Sequence, residues 1–335
     1  MYENKTNNFV INKGIPSYDY DGIFDILQEK LDDPISAIFL VGSRAEGLST
    51  SKADIDLIVI MPDDSNLGEF KFLVGIINEL RYEALLIRER EFLDTLKSKP
   101  VIIGRRLWLH KYRKFICGVP IYGENYAKQL IQEGSIETLV SAATDYFQSE
   151  SFGWFDKFSS FYYDLRKDEA LYCIRMALSD AAEAVLVQSS DLHFKEQWRI
   201  SRVNRTFSKF SGLEPLTEFI SKTIAGFSVS TSIDDYLVQC SIASAWLNLI
   251  AICPDLRNQK INLNEEQLFK VAQELIPFCL SKRDNGMVLI RSTRRSFEVT
   301  EDIAKMVMQY ILAIPSQTSI PTSISTFVDK NLRPL

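Results

Sequence analysis

Histidine is scarce in this chain, which has only His110 and His193 among its 335 residues. Histidine-rich zinc sites and Ser-His-Asp triads both need this side chain, so the composition argues against either kind of site. Cysteine is also sparse, and no C-x-x-C pair occurs among its five positions: Cys117, Cys173, Cys240, Cys253 and Cys279. The odd number and scattered spacing argue against a disulfide framework and indicate reduced thiols in a cytosol.

Long apolar segments are missing as well. No uninterrupted run of about 18 apolar residues exists, as a transmembrane helix would require. Polar residues interrupt the most apolar stretch, 237–253. The first residues are polar and lack the apolar core of a signal peptide. We therefore predict a cytoplasmic protein that does not engage a membrane.

A basic excess is the third feature that the chain lacks. Its 38 Lys and Arg residues are outnumbered by 44 Asp and Glu residues, which gives a formal net charge of -6 at pH 7. Proteins that bind DNA or RNA usually present a basic face. The acidic balance therefore disfavours a nucleic-acid partner and fits a cationic or neutral small substrate better. The oligomeric state stays open.

The most informative stretch of the chain combines a Gly-Ser turn with two carboxylates. An apolar run over 38–41 enters Gly42 and Ser43, and a polar loop then leads to Asp54 and Asp56 at the start of a second apolar run. Side chains two residues apart in a strand point to the same face, so the two carboxylates project together. Paired carboxylate oxygens suit a hard cation such as Mg²⁺, and acids within an apolar strand are costly without one.

The Gly-Ser turn has the composition of a phosphate-binding element. Gly42 lets the backbone approach a phosphate without a Cβ clash. The Ser43 hydroxyl and the adjacent backbone N–H groups can donate hydrogen bonds to phosphate oxygens, and a helix that begins here would add its N-terminal dipole. Arg44 is a candidate phosphate contact, with a solvated or structural arginine as the alternative.

This pattern resembles the signature of the nucleotidyltransferase superfamily that has a DNA-polymerase-β-like catalytic core. The matching residues are Val41-Gly42-Ser43, then ten residues, then Asp54 and Asp56 within an apolar strand. In appearance the chain is most similar to aminoglycoside nucleotidyltransferase-like proteins, whose activity is typical of antibiotic resistance. The stretch 118–124 is similar to the strand end that closes the catalytic domain in that branch.

The family also requires a third carboxylate on a later strand. The resemblance assigns this role to Glu83, which precedes an apolar run as in the aminoglycoside-modifying relatives. Glu89 and Glu91 are alternatives, but they lie beyond the apolar run, where a solvated turn is the simpler interpretation. Lys195 resembles a lysine that reaches the triphosphate from the helical domain of some relatives; the start of an amphipathic helix is the alternative.

The resemblance implies a Mg²⁺-dependent transferase. Asp54, Asp56 and Glu83 would hold two divalent ions. The enzyme would transfer a nucleoside monophosphate, AMP from ATP in the leading interpretation, to a hydroxyl of a small-molecule acceptor and release pyrophosphate. Asp180 and Glu183 are candidates for binding a cationic acceptor, with a solvated helix face as the alternative.

Two other functions compete with this interpretation. Within the same fold, the acceptor could be a nucleotide, an RNA or a protein side chain, as in a second-messenger synthase or a protein AMPylator. In a different class, the chain could be a catalytically silent nucleotide-binding sensor. Loss of the third acid is the usual mark of a silent member, so the position of Glu83 discriminates between the two classes.

The pattern of apolar residues and the resemblance together predict an α+β protein with a small mixed-sheet catalytic domain over 1–124, an all-helical substrate-binding domain over 125–313 and an irregular tail over 314–335. Apolar runs predict strands over 36–41, 55–61 and 83–87, and the stretch 116–122 is expected to end the domain. Helical periodicity predicts first-domain helices over 20–31, 66–78 and 92–97. In the second domain it predicts helices over 125–132, 135–148, 152–166, 168–189, 214–224, 233–252, 264–280 and 298–313.

Overall fold

The structure is a computed structural model that describes residues 20–67, 71–98, 105–211, 213–226, 232–254, 278–282, 288–292, 296–301, 304 and 333–334. The chain forms two compact units, Met1–Leu139 and Val140–Leu335. The division into functional domains after residue 124 stays a prediction, because packing alone does not assign substrate binding to a segment.

The described part of the first unit is built on a mixed sheet. Its strands are β1 (Ala37–Val41), β2 (Ile55–Met61), β3 (Phe72–Ile77), β4 (Leu80–Arg88) and β5 (Val119–Tyr122). Its helices are α1 (Asp21–Gln28), α2 (Gly42–Ala45), α3 (Glu89–Lys97), α4 (Arg105–Ile116) and α5 (Glu124–Ile131). The strand order is β3-β4-β2-β1-β5, with β2 and β4 parallel and the other neighbours antiparallel.

One face of the sheet packs on α1. Ile23 and Leu27 of α1 are buried in the same hydrophobic cluster as Leu57 and Val59 of β2. These two β2 residues are two apart and therefore point to the same side of the strand. The alternation of β2 thus places Ile55, Leu57 and Val59 toward α1 and leaves Asp56 on the other face, together with Ile58 and Ile60.

The opposite face packs on α3 and α4 through three aromatic rings. Phe39 of β1 stacks on Phe92 of α3 with ring centroids 5.5 Å apart, and Phe92 stacks on Phe115 of α4 at 4.6 Å. All three rings are buried. Buried aromatic residues remove a large apolar area from water and add favourable ring contacts, so the sheet is held from both sides.

The prediction of a helix over 66–78 is wrong, because this segment contains β3. A two-residue turn, Asn78-Glu79, joins β3 to β4, and both residues have positive φ angles of 49° and 65°. Such a turn matches the twist of paired strands, and Asn tolerates positive φ better than most residues. Apolar side chains occupy both faces of β3, which explains why the segment resembles a helix in sequence.

Three further boundaries differ from the predictions. No element is predicted for α4, and the stretch 116–122 expected to end the domain contains the last residue of α4 and then β5 from Val119. The helices predicted over 135–148 and 152–166 form one continuous helix, α6 (Ile136–Tyr163). Gly153 lies inside α6, and a Gly within a helix lowers its stability without necessarily ending it.

Two long helices form the centre of the second unit. α7 (Lys167–Gln188) packs against α10 (Ile233–Ile252), and α8 (Arg199–Phe207) and α9 (Glu214–Ile224) lie beside α7. α10 is long and apolar enough to cross a membrane, but 88% of its most apolar stretch is buried inside the protein. This burial is typical of a core helix, which is the interpretation that its interrupted sequence favours.

The second unit also contains a sheet, so the prediction that it is all-helical is wrong. The strands are β6 (Phe278–Lys282), β7 (Val288–Ser292), β8 (Ser296–Val299) and β9 (Arg333–Pro334), paired antiparallel in that order. The helices predicted over 264–280 and 298–313 lie mostly outside the described residues. Their described parts include β-strand residues of β6 and β8. The α+β class is confirmed, and cross-strand pairing explains why local periodicity misassigns these segments.

A buried network of charges joins α7 to α8. Glu183 accepts hydrogen bonds from Arg199 at 2.8 Å and from Arg202 at 2.5 Å, and Asp191 accepts from Arg202 at 2.8 Å and from Arg205 at 2.9 Å. Burial opposes the charge on Arg202, but its two carboxylate partners raise the pKa of the guanidinium. Burial likewise raises the pKa of Asp191, but Arg202 and Arg205 outweigh it and lower that pKa.

Replacement of Glu183 should therefore destabilise the second unit strongly. Glu183→Ala leaves Arg199 and Arg202 buried without their shared partner, and breaking a buried ion pair in this way typically costs about 3–5 kcal/mol. Urea unfolding followed by circular dichroism measures the loss. Glu218→Ala is the matched control, because Glu218 pairs with Lys222 on an exposed helix face. Equal stability of the two variants would contradict the structural role of the network.

Candidate active site

The turn after β1 and the Asp56 carboxylate are in direct contact. Gly42 has a φ of 75°, and a Cβ built on it would overlap Asp56 Oδ2 and stand 3.0 Å from Asp56 Cγ. Both the positive φ and the missing side chain are therefore required at this position. Val41, the preceding residue, is the register partner of Asp56 across β1 and β2. Strand pairing thus aligns the turn with the carboxylate.

Ser43 leaves its hydroxyl available. The Ser43 backbone carbonyl accepts a hydrogen bond from the Leu48 N–H at 2.9 Å, which closes the turn. The Ser43 side chain is half-buried and has no hydrogen-bond partner within the described part of the chain. A hydroxyl in this position, beside the first N–H groups of α2, can donate to a bound anion.

Arg44 points into the protein. Its guanidinium is buried and donates to the Ala53 carbonyl at 2.9 Å and to the Ser51 carbonyl at 3.3 Å. A further bond of 3.2 Å reaches the Asp54 carbonyl. This geometry favours the structural alternative over a phosphate contact, because the side chain holds the loop that carries Asp54.

The three predicted carboxylates lie on one face of the sheet, at the end where β2 and β4 begin. Asp56 of β2 and Glu83 of β4 are register partners in the parallel pair, so their side chains point the same way. Asp54 is two residues before Asp56 and shares that face. The parallel strands begin at the same end of the sheet, and the three acids occur at that end.

The alternative third acids are engaged elsewhere. Glu91 of α3 binds Lys71 at 2.8 Å and Lys111 at 3.1 Å. Partial burial raises its pKa, but these two lysines outweigh the burial and lower it. Glu89 accepts a hydrogen bond from Tyr126. Both follow the far end of β4, whereas Glu83 lies beside Asp56.

Arg81, which the sequence interpretation missed, lies beside the predicted acids Asp54 and Glu83. Arg81 Nη2 is 2.5 Å from Glu83 Oε1, and Arg81 Nη1 is 3.9 Å from Asp54 Oδ2. Arg81 and Glu83 are two residues apart on β4, and this alternation is the sequence signal that places them on one face.

The donor chemistry of the site fits a divalent cation. Within the described residues, no three Asp, Glu, His or Cys side chains converge closely enough to hold a metal ion as they stand. Asp54, Asp56 and Glu83 nevertheless offer the oxygen ligands that Mg²⁺ prefers. The Arg81 guanidinium supplies a positive charge beside Asp54 and Glu83.

Comparison with known proteins identifies part of the chain. Residues 21–120 match the family model described as a nucleotidyltransferase domain. This part of the chain is a nucleotidyltransferase domain. Solved structures similar to the chain include a nucleotidyltransferase-like protein from Exiguobacterium sibiricum 255-15, at 14% identity and a TM-score of 0.33, with 82% of this chain and 97% of that chain covered. No curated protein matches the chain.

The nucleotidyltransferase domain supports a nucleotidyltransferase enzyme. Three predicted site residues, Lys195, Asp180 and Glu183, lie outside this domain. Lys195 precedes a short 3₁₀ turn, Glu196–Trp198, in the second unit. Its side chain makes no hydrogen bond or ion pair within the described residues. Its role in binding a triphosphate stays a prediction.

The two acids of α7 are not on a solvated helix face, so that alternative is wrong. Glu183 is fully buried and engaged by two arginines. Asp180 is also buried, and its described ion-pair contact is with Arg199 at 3.8 Å. Burial raises the pKa of Asp180 to about 7, helped by Glu183, Glu150 and Glu196 and opposed by Arg199.

Gly42→Ala should damage the site. The new Cβ collides with the Asp56 carboxylate, and a left-handed backbone at a non-glycine residue costs about 1–2 kcal/mol. We expect lower stability in thermal unfolding and weaker binding of nucleoside triphosphate with Mg²⁺ in calorimetry. Gly153→Ala is the control, because no atom lies within 4 Å of its Cβ position. It should keep nucleotide binding and gain up to about 1 kcal/mol of helix stability.

Asp180 should make stability fall as the pH rises. The folded-state pKa of about 7 lies above the ordinary value of 3.8, so between these values the folded state binds more protons than the unfolded state. The stabilisation is complete below about pH 4 and is lost as the pH rises through 7. Asp180→Asn should therefore gain stability relative to wild type between pH 5 and 8 in urea unfolding. Asp164→Asn, an exposed change in the same unit, should follow the wild-type profile; equal profiles for all three proteins would contradict the assignment.

Proposed function

We propose that this protein transfers a nucleoside monophosphate, with AMP from ATP as the leading donor, to a hydroxyl of a small-molecule acceptor. The observation that carries the proposal is the parallel register of Asp56 and Glu83 opposite the Gly42 turn. It joins the acids that could bind a divalent ion to the element that could bind phosphate. The nucleotidyltransferase domain supports the reaction class, and the net charge of -6 supports a small acceptor over nucleic acid.

The reaction joins the acceptor oxygen to the α-phosphorus and breaks the bond to the β-phosphate, so that the electron pair leaves with pyrophosphate. Asp54 and Asp56 would hold Mg²⁺, and Glu83 would share one ion or accept the hydroxyl proton. Bound Mg²⁺ would supply charge stabilisation at the attacking and leaving oxygens. The Ser43 hydroxyl and nearby N–H groups would orient the phosphates.

The position of Glu83 supports catalysis over a silent sensor. A silent member would lack a third acid at the site, whereas Glu83 lies in register with Asp56. Its side chain is 38% exposed, so it is accessible to an acceptor. A carboxylate next to a bound cation remains ionised and can act as a base near neutral pH.

Turnover assays with site variants test the proposal. Wild type, Asp56→Asn and Glu83→Gln would be incubated with Mg²⁺, each of ATP, GTP, CTP and UTP, and a panel of hydroxylated acceptors that includes aminoglycosides. Pyrophosphate release and product mass would be followed. Removal of a general base typically costs about 10²–10⁴-fold in rate, and we expect at least the lower value for Glu83→Gln. Asp56→Asn should also lose turnover, because it removes a proposed ligand of Mg²⁺.

Glu91→Gln is the matched control, because Glu91 of α3 binds Lys71 and Lys111 rather than facing Asp56. Its turnover should equal that of wild type. Full activity of Asp56→Asn would refute the proposal. Pyrophosphate release without an added acceptor would indicate an oligonucleotide product. Nucleotide binding without release across the whole panel would favour the sensor.

A further inference from the structure

We propose that Arg81 is an exchangeable internal cation of the active site: it neutralises the carboxylates when no metal is bound, and it moves to the triphosphate when divalent ions replace it. This inference deepens the proposed function and depends on it for the presence of metal and nucleotide. It gives Arg81, which is not part of the family signature, a role in the order in which metal and nucleotide bind.

The first support is position. Arg81 lies on β4 two residues before Glu83, and its guanidinium pairs with Glu83 Oε1 at 2.5 Å and lies 3.9 Å from Asp54 Oδ2. These are the oxygens that a divalent ion would need. A metal ion and a guanidinium cannot use the same lone pairs together, and their like charges repel. A metal ion on these carboxylates would therefore compete with the guanidinium for them.

The second support is freedom to move. The Arg81 side chain is 54% exposed, and exposed ion pairs are weak because water screens them. The other arginines around the turn differ in this respect. Arg44 and Arg113 are buried and hold the loop carbonyls and Glu46, respectively. Arg81 can leave its partners at little cost, whereas Arg44 and Arg113 cannot.

The third support is the surroundings of Arg81 within the sheet. On the side of β3, its register partner is Ile76, and the partner of Glu83 is Val74. Both are exposed apolar residues. These apolar neighbours offer Arg81 no charge partner. Within the described residues its ion-pair partners are Asp54 and Glu83 of the candidate metal site, so metal binding there would remove them. A planar guanidinium then fits phosphate oxygens, which it can bind through two parallel hydrogen bonds.

The proposal predicts two opposite effects of one substitution. In Arg81→Gln, Mn²⁺ without nucleotide should bind about fivefold more tightly, because the competing cation is gone. A non-hydrolysable nucleoside triphosphate analogue in saturating Mn²⁺ should bind about tenfold more weakly, because a charged donor to phosphate is lost. Electron paramagnetic resonance of free Mn²⁺ and calorimetry with the full chain measure the two affinities. A purely structural residue would not move them in opposite directions.

Two further variants complete the test. Arg81→Lys keeps the charge, so its Mn²⁺ affinity should stay near wild type, and its analogue affinity should fall between those of wild type and Arg81→Gln. Lys97→Gln removes an exposed cation that pairs with Glu133 at 3.0 Å in the same unit, and it should change neither affinity.

The outcomes separate this proposal from the proposed function. If wild type binds Mn²⁺ and the analogue but Arg81→Gln changes only one affinity, neither, or both in the same direction, the exchange is refuted and the proposed function stands. If neither wild type nor Arg81→Gln binds Mn²⁺, both are refuted.

Discussion

The close approach of the Gly42 turn to the Asp56 carboxylate is the constraint on which the site depends. Antiparallel pairing of β1 and β2 sets Val41 opposite Asp56, and the chain must then turn within one residue beside a carboxylate. Only a residue with a positive φ and no Cβ satisfies both conditions. The Gly42 turn and the carboxylate therefore take their positions from each other, and the parallel pairing of β2 with β4 adds Glu83 at the same end of the sheet.

Two buried arginines keep the loop between β1 and β2 in place. Arg44 binds the carbonyls of Ser51 and Ala53 at the end of the loop, and Arg113 of α4 forms an ion pair with Glu46 near its start. Backbone carbonyls that accept such bonds cannot move without leaving a buried donor unpaired, which is costly. The loop that delivers Asp54 is thus fixed before any ligand arrives, and preorganised groups lose less free energy when they bind.

The parts that could be predicted from sequence are those encoded locally. Gly42, Ser43, Asp54 and Asp56 follow from a turn and a strand that are contiguous, and Glu83 follows from one further apolar strand. The β3 hairpin, the sheet of the second unit and the inward direction of Arg44 depend on partners far along the chain, which local periodicity does not contain. Arg81 could have been found from its spacing to Glu83, but the resemblance drew attention only to the acids.

Burial separates the two kinds of arginine–carboxylate pair in this protein. In the second unit, Glu183 and Arg202 are fully buried and joined by further hydrogen bonds. Their separation would expose each charge to an apolar interior, so such a pair is permanent and structural. At the active site, Arg81 and Glu83 make the same chemical contact while remaining 54% and 38% exposed. Water can replace either partner there, and this solvation is the property that the proposed exchange of Arg81 for a metal ion requires.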